Sequence, residues 1–232
     1  MKVALIGYGA MGQLVGARAR EEGHEVLLAL TSSDAAHSAE ELQRQLCGAD
    51  VVIDFSVADA VLNNARLCAG ARVPLVVGTT GWNKDAEEVQ SIIAKHDGAL
   101  LYGANFSVGV NIFYRIVRQA AELFKGLDYA PFIEEAHHSR KRDAPSGTAL
   151  KLRDMLAPLS DNISVASTRA GFIPGTHRVG FDSAADQITL THTARSREGF
   201  AAGALLAARW IIGRKGVYEF TEVFDEILKG RV

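Results

Sequence analysis

The chain has 232 residues, of which 48% are apolar and 22% charged, with a formal net charge of −2. That is the composition of an ordinary globular protein of one large or two small domains. The near-neutral charge argues against nucleic acid or a membrane surface as the main partner, and the longest apolar run, around Leu205 to Ile212, is broken by Arg209 and too short to span a bilayer.

Met1 leads directly into Val3-Ala4-Leu5-Ile6 without the pattern of a signal peptide, so a cytoplasmic location is expected. The two cysteines, Cys47 and Cys68, have neither metal nor CxxC spacing; they are expected to be small buried hydrophobes, and no metal site is assigned.

Taken in chain order, the first hundred residues alternate short apolar runs with helical patterns, the mark of a parallel sheet covered by helices. Val3 to Ile6 is the first predicted strand, and residues 11–22 form a helix ending at Gly23. Between them Gly7-Tyr8-Gly9-Ala10-Met11-Gly12 is GxGxxG. In that position Gly7 permits a tight turn, Gly9 lets the backbone approach a pyrophosphate, and Gly12 lets helix pack closely on strand. Glu25 to Leu30 is the second strand. It ends in Leu30-Thr31-Ser32-Ser33, without the acidic residue that usually holds the adenosine ribose and without a basic one for a 2′-phosphate. Thr31 and Ser32 are candidates for either ribose, so NADH and NADPH both remain open.

Val51 to Phe55 and Leu75 to Val77 are the next buried strands. Gly78-Thr79-Thr80-Gly81 follows at a carboxyl edge, where ligands bind in such sheets. Leu100 to Tyr102 leads into Ala104-Asn105-Phe106-Ser107, where Asn105 could fix a carboxamide. Residues 108–125 then read as a long amphipathic helix.

Beyond it Tyr129 to His137, Ile163 to Thr168, His177 to Asp182 and Gln187 to Thr193 are strand candidates, the last alternating like a sheet with one wet face. An alanine-rich helix over 198–213 and a last helix from Thr221 to Leu228 complete the chain. The expected fold is α/β: a Rossmann-type parallel-sheet domain over 1–105, then an α+β domain with a mixed, open sheet over 106–213.

The segment Glu135-Ala136-His137-His138-Ser139-Arg140-Lys141-Arg142-Asp143-Ala144-Pro145-Ser146-Gly147-Thr148 carries the chemistry. His137 or His138 can move a proton near neutral pH, though neighbours on a strand point to opposite faces and one ring could simply be packed. Lys141 supplies a fixed positive charge, unless the basic run 140–142 is only a solvated turn. Ser146 is a favoured N-cap for a helix carrying Leu150, Leu152, Met155, Leu156 and Leu159, and the amides of Gly147 and Thr148 would lie at its positive end. Acid, cation and amides together suit a small dianionic acid.

These motifs resemble those of the dihydrodipicolinate reductase (4-hydroxy-tetrahydrodipicolinate reductase) family. The matches are GxGxMG at 7–12, GTTG at 78–81, ANFSVGVN at 104–111, EAHH with KxDAPSGTAL at 135–150, and the long ending over 191–224. The resemblance implies a homotetramer that transfers hydride from NADH or NADPH to a small cyclic dicarboxylate in lysine and diaminopimelate synthesis. Carried onto matching positions, it implies His137 as proton carrier and Lys141 as second catalytic cation, with His138, Gly147, Thr148 and Thr80 on the substrate. Gly7 to Gly12, Gly78 to Thr80 and Ala104 to Ser107 would line the cofactor, and residues 214–232 would return to the first domain. The chain departs from the family's usual pattern in a shorter stretch between Thr31 and Gly78 and in lacking charged residues directly after the second strand. The competing readings are another two-domain nicotinamide oxidoreductase acting on a small acid, and a catalytically silent dinucleotide sensor.

Overall fold

The computed structural model describes residues 1–230, with the side chains of 35 and 36 left aside. The chain divides into two units, Met1–Val108 joined by the segment from Arg197 onward, and Gly109–Ser196. The first unit opens with β1 (Lys2–Ile6), α1 (Ala10–Glu21), β2 (Glu25–Leu30), α2 (Ala39–Leu46), β3 (Val51–Asp54), α3 (Val61–Ala71), β4 (Leu75–Val77), α4 (Ala86–Lys95) and β5 (Ala99–Tyr102). Then come α5 (Val108–Phe124), β6 (Ala130–His137), α6 (Gly147–Leu156), β7 (Ser164–Arg169), β8 (Thr176–Asp182) and β9 (Gln187–Thr193). The chain returns to the first unit through α7 (Glu198–Ile211), β10 (Gly216–Glu219) and α8 (Phe220–Lys229).

In the first unit the strands lie in the order β10-β5-β4-β3-β1-β2, each pairing parallel. Strand alternation sends Val3 and Leu5 to one core with α1, α7 and α8, and Ala4 and Ile6 to the other with α2, α3 and α4. Both faces are therefore dry, which explains the near-continuous apolar runs of the central strands. The connection reverses direction between β1 and β3, so the turn after β1 sits at the switch point where such sheets bind ligands.

Three expectations need correction here. The alanine-rich helix was expected in the second domain, but α7 lies in the first unit's core. A Cβ on Gly203 would come within 1.7 Å of the Phe106 carbonyl oxygen, so its small residues permit backbone-close packing. The return thus begins at Arg197 rather than near 214, and it includes β10, a strand too short and polar to be read from sequence. Cys68 is buried, whereas Cys47 is exposed at the end of α2.

In the second unit the sheet order is β7-β6-β8-β9, with β6–β7 parallel and the other pairs antiparallel. The inner face packs on α5 and α6 through Phe113, Val117, Ile133, Leu152, Val179 and Phe181. Fully burying an aromatic such as Phe181 is worth about 2–3 kcal/mol. The other face carries exposed polar groups such as the Glu134–Arg178 ion pair at 3.0 Å. Helix α6 stops at Leu156, short of the expected Leu159, because Pro158 has no N–H with which to continue it.

Candidate functional site

Along β6 the burial alternates, so that Ile133, Glu135 and His137 all face inward. This places a carboxylate and an imidazole on one side of one strand, both buried. The ring of His138 falls just beyond the strand and is half-buried; its Nδ1 is enclosed without a hydrogen bond.

Glu135 is the hub. Its Oε1 accepts from the Ser146 amide at 3.0 Å, from Ser167 Oγ at 2.7 Å and from Arg169 Nη2 at 2.7 Å. Its Oε2 lies 3.2 Å from His137 Nδ1 and 3.7 Å from His177 Nε2, without an aligned hydrogen bond to either. Burial alone would raise this carboxyl, but the bonds from Ser146, Arg169 and Ser167 hold it down to about 2. His137 is pushed below its ordinary range by burial, which outweighs the opposing carboxylate of Glu135; Lys141 and Arg169 add to the fall. His177, packed edge-on against His137 with ring centroids 5.0 Å apart, drops to about 4 through burial and the neighbouring imidazole.

Glu135, His137 and His177 each bring one ligand atom within 4.8 Å of the others, the spacing of a cation site. Here Arg169 already supplies positive charge to the carboxylate at 2.7 Å, so a second cation would meet repulsion in a dry setting. We read the cluster as an ion-paired network.

Ser146 caps α6 as expected, its Oγ accepting from the Ala149 amide at 3.3 Å and lying 3.1 Å from His177 Nε2. Gly147 is exposed and Thr148 half-buried, and both lie in the first turn, where amides have no intrahelical acceptor. Lys141 sits in the preceding loop, half-buried, its Nζ 2.8 Å from Asp143, which lowers that carboxyl. Arg169 also donates to the Asp143 carbonyl at 2.6 Å, tying the loop to β7.

In the first unit Gly7 has a φ of 83°, and a Cβ there would meet the Phe55 carbonyl at 2.5 Å. A Cβ on Gly12 would stand 2.0 Å from the Gly7 oxygen. Gly9 differs, because a Cβ there would meet open space. The fold thus dictates the outer glycines, while the middle one leaves room in front of an α1 N-terminus that has no side-chain cap and no acid in its first turn. Those features fit a pyrophosphate. Met11, Phe55, Gly78, Ala104, Phe106 and Arg197 are among the residues lining an adjoining cavity of about 290 Å³.

The expected cofactor residues are not equivalent. Tyr8, Ala10 and Met11 lie on the turn and first helical residues, and Thr80 is exposed beyond β4. Thr79 instead turns its hydroxyl inward, donating to buried Asp54 at 3.0 Å, and its carbonyl accepts from Trp82 Nε1 at 2.9 Å. Phe106 is a core residue whose ring lies 4.6 Å from that of Phe220. Asn105 Oδ1 accepts from the Ser107 amide at 2.8 Å, shaping the turn. Thr31 and Ser32 are exposed, and Asp34 closes a capping box on Thr31, accepting from its amide at 2.7 Å and from its hydroxyl at 3.0 Å. Beyond the expected set, the structure adds Glu135, Ser167, Arg169, His177 and Arg197.

Comparison with known proteins matches both units to one family. Residues 1–106 match the family described as dihydrodipicolinate reductase, N-terminus, and residues 109–224 its C-terminus. A 4-hydroxy-tetrahydrodipicolinate reductase of Christiangramia forsetii is 36% identical, covering 99% of this chain and 100% of the relative. One from Methanosarcina mazei is 37% identical over 90% of this chain and 85% of its own. Among solved structures, a dipicolinate-bound dihydrodipicolinate reductase from Paenisporosarcina sp. TG-14 has a TM-score of 0.80 at 22% identity, covering 96% of this chain and 99% of that one. An amine dehydrogenase from Mycobacterium smegmatis has a TM-score of 0.62 at 9% identity, over 95% of each chain. With both of the family's domains matched in order and full-length relatives above a third identical, this chain belongs to the dihydrodipicolinate reductase family.

Proposed function

We propose that this chain carries out its family's reaction, the NAD(P)H-dependent reduction of 4-hydroxy-tetrahydrodipicolinate to tetrahydrodipicolinate, with His137 as proton carrier and Lys141 as second cation. The observation that carries the assignment is a buried imidazole, His137, joined through the Glu135 carboxylate to the capped N-terminus of α6, with the Lys141 ammonium in the loop between β6 and α6.

The reaction consumes one hydride and one proton and releases the ring hydroxyl as water. Bound at the turn from Gly7 to Gly12, along Gly78 to Thr80 and Ala104 to Ser107, the reduced nicotinamide supplies the hydride. His137 delivers the proton as electron density moves through the conjugated ring, general acid catalysis worth on the order of 10²–10⁴-fold. Lys141 stabilises the negative charge that develops, and the Gly147 and Thr148 amides orient a carboxylate. His138 and Thr80 complete the substrate contacts, and Thr31 and Ser32 flank the adenosine side. A homotetramer in the cytoplasm, within lysine and diaminopimelate synthesis, is the setting this reading implies.

Absorbance of the reduced cofactor, followed with and without cyclic substrate generated in situ, tests the reading. Oxidation that depends on the substrate supports it; binding of the cofactor without oxidation would leave a sensor instead.

A further inference from the structure

We propose that Glu135 is a positioning residue that fixes the tautomer and proton affinity of His137 and, through the same carboxylate, the placement of the α6 N-terminus. The proposal rests on the reading of His137 as proton carrier, and it concerns residues that reading leaves without a role.

The two oxygens of this carboxylate are unequal. Oε1 is saturated by three donors, Ser146 N at 3.0 Å, Ser167 Oγ at 2.7 Å and Arg169 Nη2 at 2.7 Å. Oε2 is enclosed without a hydrogen bond, in a residue only 3% exposed, and its nearest ring atom is His137 Nδ1 at 3.2 Å. A buried carboxylate oxygen facing an imidazole nitrogen favours a proton on that nitrogen, since an unpaired charge there is costly. The neutral ring of His137 therefore keeps its proton on Nδ1, and Nε2 becomes the atom that gains and loses the transferred proton.

The groups around His137 come from every strand beside it. Glu135 lies on its own strand, Lys141 and Asp143 in the loop after it, Arg169 on β7 and His177 on β8. Glu135 and Asp143 favour the charged ring, while Lys141, Arg169 and burial oppose it. Gly175 closes the other edge. It has a φ of 142°, and a Cβ there would sit 3.3 Å from His137 Cδ2 and Nε2, so a bare backbone is needed for the ring to keep its place. His177, by contrast, is committed to Ser146 Oγ at 3.1 Å and braces the cap.

The link to substrate binding is mechanical. The Ser146 amide is held by Oε1 while the Ser146 hydroxyl caps the helix, so the Gly147 and Thr148 amides are aimed by the same carboxylate that faces the imidazole. One buried side chain sets both the acid and the anion site.

The test uses the full-length protein with histidine labelled in ¹⁵N. In the unaltered enzyme the neutral His137 ring is expected as the Nδ1–H tautomer; an Nε2–H ring would overturn the proposal without any variant. In Glu135→Gln, loss of the negative charge should move the His137 titration and the alkaline limb of the kcat profile down by about one pH unit. The KM for the substrate should rise, and Glu135→Asp should restore the limb. Ser167→Ala, which removes a donor from Oε1 alone, should leave the His137 titration in place. A Glu135→Gln enzyme with an unmoved pH limb and an unmoved His137 titration would refute the coupling, even if its kcat fell. If His137→Gln kept full turnover, the catalytic reading would fail instead, and the tautomer and titration would still decide the role of Glu135.

Discussion

The main-chain N–H of Ser146 donates to Oε1 of Glu135 at 3.0 Å, joining the helix cap to a strand residue eleven positions earlier. Through this bond the loop that carries Lys141 is closed at both ends, by β6 before it and α6 after it. A flexible-looking basic segment thereby becomes part of a fixed site.

His137→Gln and Lys141→Ala should each lower turnover at least about a hundredfold and leave reduced-cofactor affinity nearly unchanged. Steady-state kinetics beside fluorescence titration of the reduced cofactor reads both quantities. Near-normal turnover in either purified variant would remove that residue from the chemistry.

Ser146→Ala should destabilise the protein by about 1 kcal/mol through loss of the helix cap, and it should also raise the KM, because the contact with His177 is lost with it. Thr148→Val should be mild, since the amide survives the change. Urea midpoints and KM values for the pair give the comparison, and equal effects would argue against an amide-based anion site.

Two glycines of the turn, Gly9 and Gly12, should separate by property. Gly12→Ala drives a methyl into the Gly7 carbonyl and should cost about 1–3 kcal/mol of stability. Gly9→Ala meets open space in the protein, so the fold should survive while dinucleotide affinity drops ~tenfold, or about 1.4 kcal/mol. A melting curve and a cofactor titration on each variant test the split; unaltered affinity in Gly9→Ala would place the pyrophosphate elsewhere.

Acid should weaken the fold through His177. Its native form is the neutral ring, because burial lowers it from 6.5 to about 4. The unfolded chain takes up a proton first, so stability declines as pH falls from about 6.5 to about 4 and this contribution is then exhausted. Between pH 7 and pH 5 the loss amounts to about 2 kcal/mol. His177→Asn should flatten that part of the denaturant-midpoint profile. The carboxylate of Glu135 acts in a lower window, its stabilisation being lost as pH falls from about 4.5 towards 2.

Much of this was legible in the sequence where local chemistry decides the structure. GxGxxG between strand and helix, and Ser-Gly-Thr before a helix, are short motifs whose geometry follows from glycine sterics and capping. The period-2 alternation of β6 also holds Glu135 on the face of His137, although Glu135 was not among the expected site residues. What stayed hidden depends on register. Ser167 and His177 stand opposite Glu135 in β7 and β8 only because of strand pairings that no local pattern states. Chain order alone points α7 to the second domain, whereas Gly203 against the Phe106 carbonyl shows a helix shaped for the first.

Transfer of hydride to the cyclic acid is the central claim, and isotopic labelling tests it most directly. Reduced cofactor carrying deuterium at its transferable position would be incubated with the enzyme and substrate formed in situ, and the product analysed by mass spectrometry. The account predicts tetrahydrodipicolinate containing one deuterium from the cofactor in the unaltered enzyme, and next to none formed by His137→Gln in the same time. Unlabelled product, or cofactor consumed without a labelled ring, would contradict it.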